Sequence, residues 1–570
     1  MSISDKLAAI AANVPAVYAA GAAAGKRAVA LESDAQIVSV LIEAYGARTA
    51  LKKFAQINAD SGDLTEIAGR FFTAAAKSAG GTYTSEFYRY SVNPTPAGTK
   101  LDANAGLTCT PSTIAVPGTD DYADLPLFAC FDVNYTIDAG TLEPVIHAIK
   151  DVYGTFDKAP TDSMVGVMQM TGWVRRTMTD TTKKVEYRAQ QSAGFEPLPE
   201  AVRASDNSVR PYVIHAKYAA GYNAVGKLSS VSGVQPATYR YGSTESTKTS
   251  HNAQITKWRE WGDQYCGSSL CDIAFVQLML EVKYATLGSA GVMTGCRNHA
   301  AIRTPAMAEM GVTRFLVSAA DAALYMPGAS VSLGSTTNRA QATAYDVCDI
   351  VKIANIDDVT VDGVTYKAVN LDTDATFDVT TDTYINLQPW RTGSTDGVPG
   401  NDGSPTSNAS GKEPCKIQGI EVMLGMYEVP GDTTLYSDAG KYTVYTNRKA
   451  AEITSGGSGT NPVTVGTIPK AESAAWNYIA ELNWGANRQE AYMLAQTSGA
   501  APSTGYRAGL YRDAATVTGW REWRAYGYLG YSDIGGFACT ALGSDLDGTD
   551  WSIGARACGS GGNRGVYSMD

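Results

Sequence analysis

The chain has 570 residues, of which 44% are hydrophobic and 18% charged, and it is rich in glycine (57) and tyrosine (32). This length is too great for one hydrophobic core, and the composition excludes both a disordered tail and a helical repeat array. A formal net charge of −11 argues against nucleic-acid binding and against attachment to an anionic membrane, since both need a cationic surface.

The N-terminal sequence predicts a helix that makes an intermolecular contact. Its apolar residues repeat every three or four positions, at Ile3, Leu7, Ile10, Val14 and Val17. Ser2 and Asp5 stand where an N-cap and its capping-box partner belong. A helix this short has only marginal stability in isolation. We therefore expect it to bundle with copies of itself or to dock on another protein. Packing against its own domain is the alternative.

The remaining patterns predict an α+β, multidomain chain. Residues 1–80 form a helical attachment or oligomerisation region, and residues 81–208 form a β-rich domain with strands at 82–90, 128–137 and 163–174 and one helix at 142–153. Residues 209–345 form a mixed α/β domain, whose helix at 273–284 is apolar all round and is therefore expected to be buried. His215 is expected to be a core residue of a strand.

Two features mark the region after residue 345. Asp362-Gly363 between alternating strands predicts a hairpin, so residues 346–412 are assigned to a small β domain. Its Gly- and Ser-rich segment 391–413 is expected to be a surface loop. Residues 413–570 form the last domain.

The chain offers little material for catalysis. Its nine cysteines are scattered and its histidines number four, which predicts mostly buried thiols. Motifs for phosphate binding, a nucleophile elbow or a zinc protease are absent from the sequence. We therefore expect no enzyme, no catalytic residue, no cofactor and no metal. Asp545, Asp547 and Asp550 could form a calcium loop, but they lack the spacing of an EF-hand, and a solvated loop is favoured.

Large aromatic residues concentrate near the C-terminus. Five of the nine tryptophans fall there: Trp476, Trp484, Trp520, Trp523 and Trp551. Residues 519–531 set several aromatics close together on a segment too rich in glycine for a helix, so strand and loop are predicted. Residues 535–539 are expected to form a core strand, followed by a polar excursion at 543–550.

This succession resembles the C-type-lectin-like domain of variable proteins from diversity-generating retroelements. The resemblance lies in the Trp520 and Trp523 pair, in residues 535–539, and in Trp551 with residues 554–556. It implies a fixed scaffold made of Trp520, Trp523, Gly535, Gly536, Phe537, Cys539, Trp551, Gly554 and Arg556. It also implies a variable, ligand-binding surface made of Tyr526, Tyr528, Tyr531, Ser532, Asp533, Ile534, Ser544, Asp545, Thr549, Asp550 and Ser552. The alternative is that these are ordinary loop residues.

The composition of that surface suits recognition, because tyrosine gives a large contact area for two rotatable bonds and short polar residues adapt their hydrogen bonds. Residues 5–21, 210–218 and 283–287 are similar to segments of phage tail proteins. These resemblances imply a phage virion protein, made in the host cytoplasm, that binds a host-surface glycan or protein. We expect a homotrimer that contacts other tail proteins through its N-terminal helix, with no nucleic acid bound and no membrane insertion. A tail-spike polysaccharide hydrolase and a structural baseplate or neck component remain the alternatives.

Overall fold

The computed structural model describes residues 34–239, 249–484 and 489–568. The N-terminal helix predicted around Ile3 to Val17 lies outside these ranges. The described chain combines helices with many largely antiparallel sheets, so the protein has a mixed α and β fold with several sheets. Within the described ranges, no helix has the length and apolar character needed to cross a lipid bilayer. The α-helices are Asp34–Ile57, Leu64–Ser78, His251–Arg259, Leu270–Tyr284 and Ala319–Ala322.

The first two helices confirm the helical patterns predicted before residue 80. Gly46, at a φ of 74°, breaks the regular geometry of the first helix. Asp63 caps the second helix by accepting hydrogen bonds from the backbone N–H groups of Thr65 and Glu66. The helices pack through Phe54 and Phe71, whose ring centroids lie 5.9 Å apart.

Two antiparallel sheets follow. In spatial order, the five-stranded sheet contains Thr99–Asp102, Tyr83–Tyr88, Thr182–Arg188, Trp173–Met178 and Glu196–Pro197. The four-stranded sheet contains Pro144–Ile149, Cys130–Ile137, Met164–Met170 and Tyr212–Ala216. Because Met170 pairs with Tyr212, the expected domain boundary at 208/209 falls within one sheet.

The prediction of a helix at 142–153 is wrong. Pro144–Ile149 is a strand that pairs with Cys130–Ile137. Its β-branched residues Val145, Ile146 and Ile149 favour an extended backbone, and the neighbouring strand supplies the hydrogen bonds.

A six-stranded sheet occupies residues 302–388 and has its own hydrophobic core. Its strands in spatial order are Ile302–Arg303, Tyr384–Gln388, Ser330–Gly334, Cys348–Val361, Val364–Leu371 and Arg314–Val317, and a separate pair is Glu309–Val312 with Phe377–Val379. The hairpin predicted at Asp362-Gly363 is confirmed, since both residues have positive φ and Val361 pairs with Val364. The sheet joins strands from both sides of residue 345, so the boundary expected there divides paired strands.

The C-terminal region forms two further sheets. The seven-stranded sheet contains Ala495–Ala500, Ala475–Leu482, Gly509–Arg512, Thr540–Ala541, Arg524–Ala525, Tyr427–Glu428 and Ile553–Gly554. The four-stranded sheet contains Val463–Pro469, Lys441–Thr446, Thr433–Asp438 and Gly519–Glu522. Two short pairs are Ala220–Tyr222 with Leu228–Ser230, and Cys415–Ile417 with Ile420–Val422.

The helix Leu270–Tyr284, here called the central helix, is buried from Leu270 to Lys283, which confirms the burial predicted for it. Ser269 and Asp272 close a capping box at its first turn. The core around it includes residues of the first helices, of the first two sheets and of the C-terminal sheets. The central helix therefore connects parts of the chain that are far apart in sequence.

The Gly- and Ser-rich segment 391–413 is largely not the surface loop that its composition predicts. Asn401, Asp402 and Ser404 are almost completely buried. Asp402 Oδ2 lies 2.7 Å from Lys283 Nζ of the central helix. Pairing with a buried ammonium group holds this polar segment inside the molecule.

His215 is buried in the strand Tyr212–Ala216, as predicted. Its Nδ1 lies 2.7 Å from Asp272 Oδ1, and its Nε2 lies 3.6 Å from Glu200 Oε1. Both oxygens of Glu200 are buried without a hydrogen-bond partner among the described residues. Burial raises the pKa of Glu200 to about 7, while His215 opposes the rise and Asp272 adds to it.

We predict that Glu200→Gln changes the pH dependence of stability. A carboxyl group whose pKa is raised on folding stabilises the fold while it is neutral, and this contribution is lost as the pH rises through about 7. Between pH 5 and pH 8 the wild-type free energy of unfolding should therefore fall by about 2 to 3 kcal/mol relative to the variant. Urea unfolding at the two pH values measures this difference. Exposed Glu43→Gln is the control, and an equal pH response of wild type and E200Q would contradict the prediction.

Candidate binding surface

Aromatic side chains from distant segments meet beside the seven-stranded sheet. The rings of Tyr528 and Tyr531 have centroids 4.1 Å apart, and Trp476 lies 4.9 Å from Tyr531. The separation of Trp476 and Tyr531 lies within the range of about 4.5 to 7 Å that edge-to-face and offset ring pairs prefer, and Tyr528 and Tyr531 pack more closely than that. The group, here called the aromatic cluster, consists of Tyr427, Trp476, Tyr511, Tyr528, Tyr531 and Trp551.

The aromatic cluster has a buried base and a partly exposed rim. Tyr427 and Trp551 are buried, whereas Tyr528 and Tyr531 keep part of their surface in solvent. The Tyr427 hydroxyl donates a hydrogen bond to the Tyr531 hydroxyl. Burial raises the pKa of both phenols well above the ordinary value. The cluster therefore presents neutral hydroxyl groups and ring faces at physiological pH.

Two arginines lie against the aromatic cluster. The Arg339 guanidinium carbon is 3.4 Å from the ring centroid of Trp551, and that of Arg524 is 5.7 Å from the ring centroid of Tyr427. Arg524 also forms an ion pair with Glu522, at 2.7 Å. These cation–π contacts fix the aromatic faces. Arg339 comes from the six-stranded-sheet region, so that region supports the cluster.

Most of the residues expected in the variable surface retain some exposure. Ser532 and Asp545 are exposed. The half-buried ones are Tyr528, Tyr531, Asp533, Ile534, Ser544, Thr549 and Asp550. Ile534 packs on the core, which makes it the least available of these for contact with a ligand.

The prediction that Tyr526 and Ser552 belong to the variable surface is wrong. Tyr526 is only 1% exposed. It follows the strand Arg524–Ala525 with a φ of 71°, and this left-handed conformation interrupts the alternation that would have turned it outward. Ser552 is 4% exposed, and its Oγ donates a hydrogen bond to Asp550 Oδ1 at 3.1 Å. Both belong to the support of the surface.

The residues expected to form the scaffold are buried, with one exception: Trp523, Gly535, Gly536, Phe537, Cys539, Trp551, Gly554 and Arg556 have little exposure. Trp520 is half-buried on the four-stranded sheet, where its ring contacts Tyr436 at 5.1 Å and Tyr445 at 5.6 Å. Residues 535–539 were expected to be a strand, but they form a buried turn before Thr540–Ala541. The turn is closed by a hydrogen bond from Cys539 N to Gly536 O.

Arg556 is the principal polar anchor of this scaffold. Its Nε lies 3.0 Å from Glu428 Oε2, and its other nitrogens donate to the carbonyl oxygens of Ala216, Lys217 and Glu421. Arg556 is 3% exposed and Glu428 is 1% exposed. The pair fixes the parallel contact of Tyr427–Glu428 with Ile553–Gly554.

Sequence reasoning missed Tyr427, Tyr511, Arg339 and Arg524 as parts of this site. Tyr427 lies more than 100 positions before Tyr531, and Arg339 lies in the connection between the strands Ser330–Gly334 and Cys348–Val361 of the six-stranded sheet. Local spacing carries no signal for such contacts. In the sequence, Trp476 stands out only as one of the five tryptophans near the C-terminus.

One further group of polar side chains among the described residues has the spacing of metal ligands. Cys109, Asp120 and Asp402 are close enough together to hold a metal ion. Lys283 Nζ, however, lies 3.2 Å from Asp120 Oδ2 and 2.7 Å from Asp402 Oδ2. An ammonium group thus supplies the positive charge there. Eight of the nine cysteines are buried free thiols and Cys348 is half-buried, which confirms the predicted burial.

The acidic loop after residue 543 is organised by local hydrogen bonds. Asp545 Oδ1 accepts from the backbone N–H of Asp547 at 3.3 Å, and Asp550 Oδ1 accepts from Ser552 N at 3.1 Å. These contacts are typical of turns. Hydrogen bonds between residues of the loop itself therefore define its backbone conformation.

The sequence matches no protein-family model and no curated protein.

We predict that Arg556→Met destabilises the protein by about 3 to 5 kcal/mol, because Glu428 would remain buried without its counter-ion. Urea unfolding monitored by tryptophan fluorescence measures the loss. The control is Arg314→Met, which removes a partly exposed pair with Glu309 and should cost about 1 kcal/mol or less. Similar losses for the two variants would refute the assignment of Arg556 as an anchor.

Proposed function

We propose that the chain is a phage virion tail protein that binds a host-cell surface receptor through a C-type-lectin-like C-terminal domain. The observation that carries the proposal is the aromatic cluster, in which partly exposed Tyr528 and Tyr531 pack on the buried rings of Tyr427 and Trp551. A rigid base reduces the ordering cost of binding. Exposed Ser532 adds a polar group next to Tyr531 in the chain.

The chemistry of this surface suits a glycan or a protein epitope. Tyrosine and tryptophan offer ring faces together with a hydrogen-bonding group, and such residues dominate binding surfaces. Asp533 and Asp550 supply acceptors beside the cluster, and both are partly exposed. The receptor therefore combines apolar faces with hydroxyl or amide donors.

We propose a homotrimer, since weak contacts gain strength when several copies engage one cell surface. Light scattering of the full chain should give three times the mass of the chain. A monomer at micromolar concentration would contradict this part of the proposal.

The test of receptor binding is the double variant Tyr528→Ala/Tyr531→Ala. Loss of two central tyrosines should weaken binding of the fluorescently labelled full chain to susceptible bacterial cells by about tenfold or more. A panel of bacterial strains, scored by flow cytometry, identifies the cells that the wild type binds.

The matched control is Tyr88→Ala, because Tyr88 is 48% exposed on the five-stranded sheet and outside the cluster. Circular dichroism must give the same fold for all proteins. Undiminished binding by the double variant would favour a structural role. Release of reducing ends from host capsule by the wild type would favour a hydrolase.

The DNA that flanks the gene for this protein tests whether the surface is variable. We expect a reverse transcriptase and a near-copy of the final codons, with differences concentrated in codons of exposed residues such as Ser532 and Asp545. Codons of Tyr526 and Ser552 should be constant, because both side chains are buried. Differences concentrated in those two codons would contradict this assignment.

A further inference from the structure

A cavity of about 420 Å³, lined by none of the residues of the aromatic cluster, lies between the helix Asp34–Ile57, the strand Cys130–Ile137 and the strand Cys415–Ile417. Five cationic residues line it: Arg48, Lys52, Lys150, Lys217 and Lys416. Three carboxylates line it as well: Asp132, Asp151 and Asp396. The cavity, here called the cationic cavity, thus carries a surplus of positive charge in a chain whose net charge is −11.

Two of the carboxylates, Asp132 and Asp396, pair with only two of the five cationic residues. Lys217 Nζ lies 2.8 Å from Asp132 Oδ2 and 3.3 Å from Asp396 Oδ1, so one lysine engages both. Lys150 approaches Asp132 at 3.6 Å. Asp132 and Asp396 therefore balance the charges of Lys217 and Lys150.

Among the described residues, Lys416 is the buried lysine of this cavity that has no ion-pair partner, and Arg48 at the cavity wall also has none. Lys416 is 5% exposed, and its Nζ donates to the carbonyl oxygen of Val398 at 2.6 Å. It forms no ion pair with any residue that the structure describes. Burial lowers the pKa of Lys416 to about 8, and the charge of Lys217 contributes to the lowering. A buried ammonium group of this kind is stabilised when an anion enters its cavity.

Asn401 adds a neutral donor to the same cavity. Arg48 Nη2 donates to Asn401 Oδ1. Since arginine has only donors, the amide oxygen faces Arg48 and the amide nitrogen is directed elsewhere. Asn401 is 4% exposed, and its Nδ2, like Arg48 Nε, is buried with no hydrogen-bond partner in the described part of the chain. Buried donors without acceptors are costly and call for a ligand.

We propose that the cationic cavity binds an oxyanion, such as a phosphate, a sulfate or the carboxylate of an acidic sugar. Lys416 and Arg48 supply the positive charge, and Asn401 supplies an N–H group. Charge-assisted hydrogen bonds of this kind are the strong ones in anion recognition. The cavity is formed by other segments than the aromatic cluster, so this inference is independent of the proposed receptor binding.

Isothermal titration calorimetry of the full chain tests the proposal, with inorganic phosphate, sodium sulfate and sodium glucuronate as probes at constant ionic strength. We expect saturable binding of at least one probe with one site per chain. Preference for phosphate or sulfate would identify a free inorganic anion or an esterified group, and preference for glucuronate would identify an acidic sugar. Absence of saturable binding for all three would overturn the proposal.

Two variants locate the site. Lys416→Met removes an unpaired charge and keeps the length of the side chain, so affinity should fall about tenfold or more. Asn401→Asp retains an acceptor for Arg48 but places a negative charge in the cavity, and it should abolish binding. The controls are Lys441→Met and Asn355→Asp, both at exposed positions, and they should bind as the wild type does.

Thermal unfolding with and without the bound probe gives a second readout. The probe should raise the unfolding temperature of the wild type and of the controls, but not that of Asn401→Asp. If Lys416→Met fails to fold, Asn401→Asp still decides the question. Wild-type affinity in a folded Asn401→Asp protein would overturn the assignment of the site.

Discussion

Burial of a charged helix is the constraint on which the rest of the structure depends. The central helix, Leu270–Tyr284, is surrounded by protein over almost its whole length, and charges in such a position destabilise a fold unless each has a partner. The partners come from different sheets and loops. The pairs are His215–Asp272 at 2.7 Å, Arg176–Glu281 at 2.7 Å and Asp402–Lys283 at 2.7 Å. Satisfying them requires distant parts of the chain to assemble around one helix.

The C-terminal segment is fixed by the same physical rule. Arg564 Nη1 lies 2.9 Å from Asp432 Oδ2, and its Nε lies 2.9 Å from Glu490 Oε1. Burial acts to raise the pKa of Glu490, but Arg564 and Arg448 hold it at about 2. Glu490 is therefore ionised at any physiological pH. Together with the Arg556 anchor, these ion pairs hold the segment around Arg556 and Arg564 in the core.

Local features were predictable from the sequence, and long-range ones were not. The apolar periodicity of the central helix and the Asp362-Gly363 turn depend on neighbouring residues, and both predictions were confirmed. Pro144–Ile149 is an exception among the local features: it pairs with the preceding strand Cys130–Ile137, and its short apolar run does not by itself distinguish a strand from a helix. Tyr526 was misplaced because one left-handed residue reverses the direction of a side chain. The cationic cavity assembles residues from 48 to 419, and no motif in the sequence links them.

A surface that tolerates change must be energetically separate from the contacts that hold the fold. Ser532 and Asp545 are exposed and form no ion pair with another described residue, so substitutions there should alter stability by about 0.5 kcal/mol or less. Tyr526 is buried against the scaffold, and replacing it would leave a cavity costing about 3 to 5 kcal/mol. Tyr528 and Tyr531 are intermediate, since part of each ring packs within the cluster and part contacts solvent. The range of acceptable side chains should therefore be narrowest at the base of the cluster and widest at its exposed loops, as the proposed receptor binding would require.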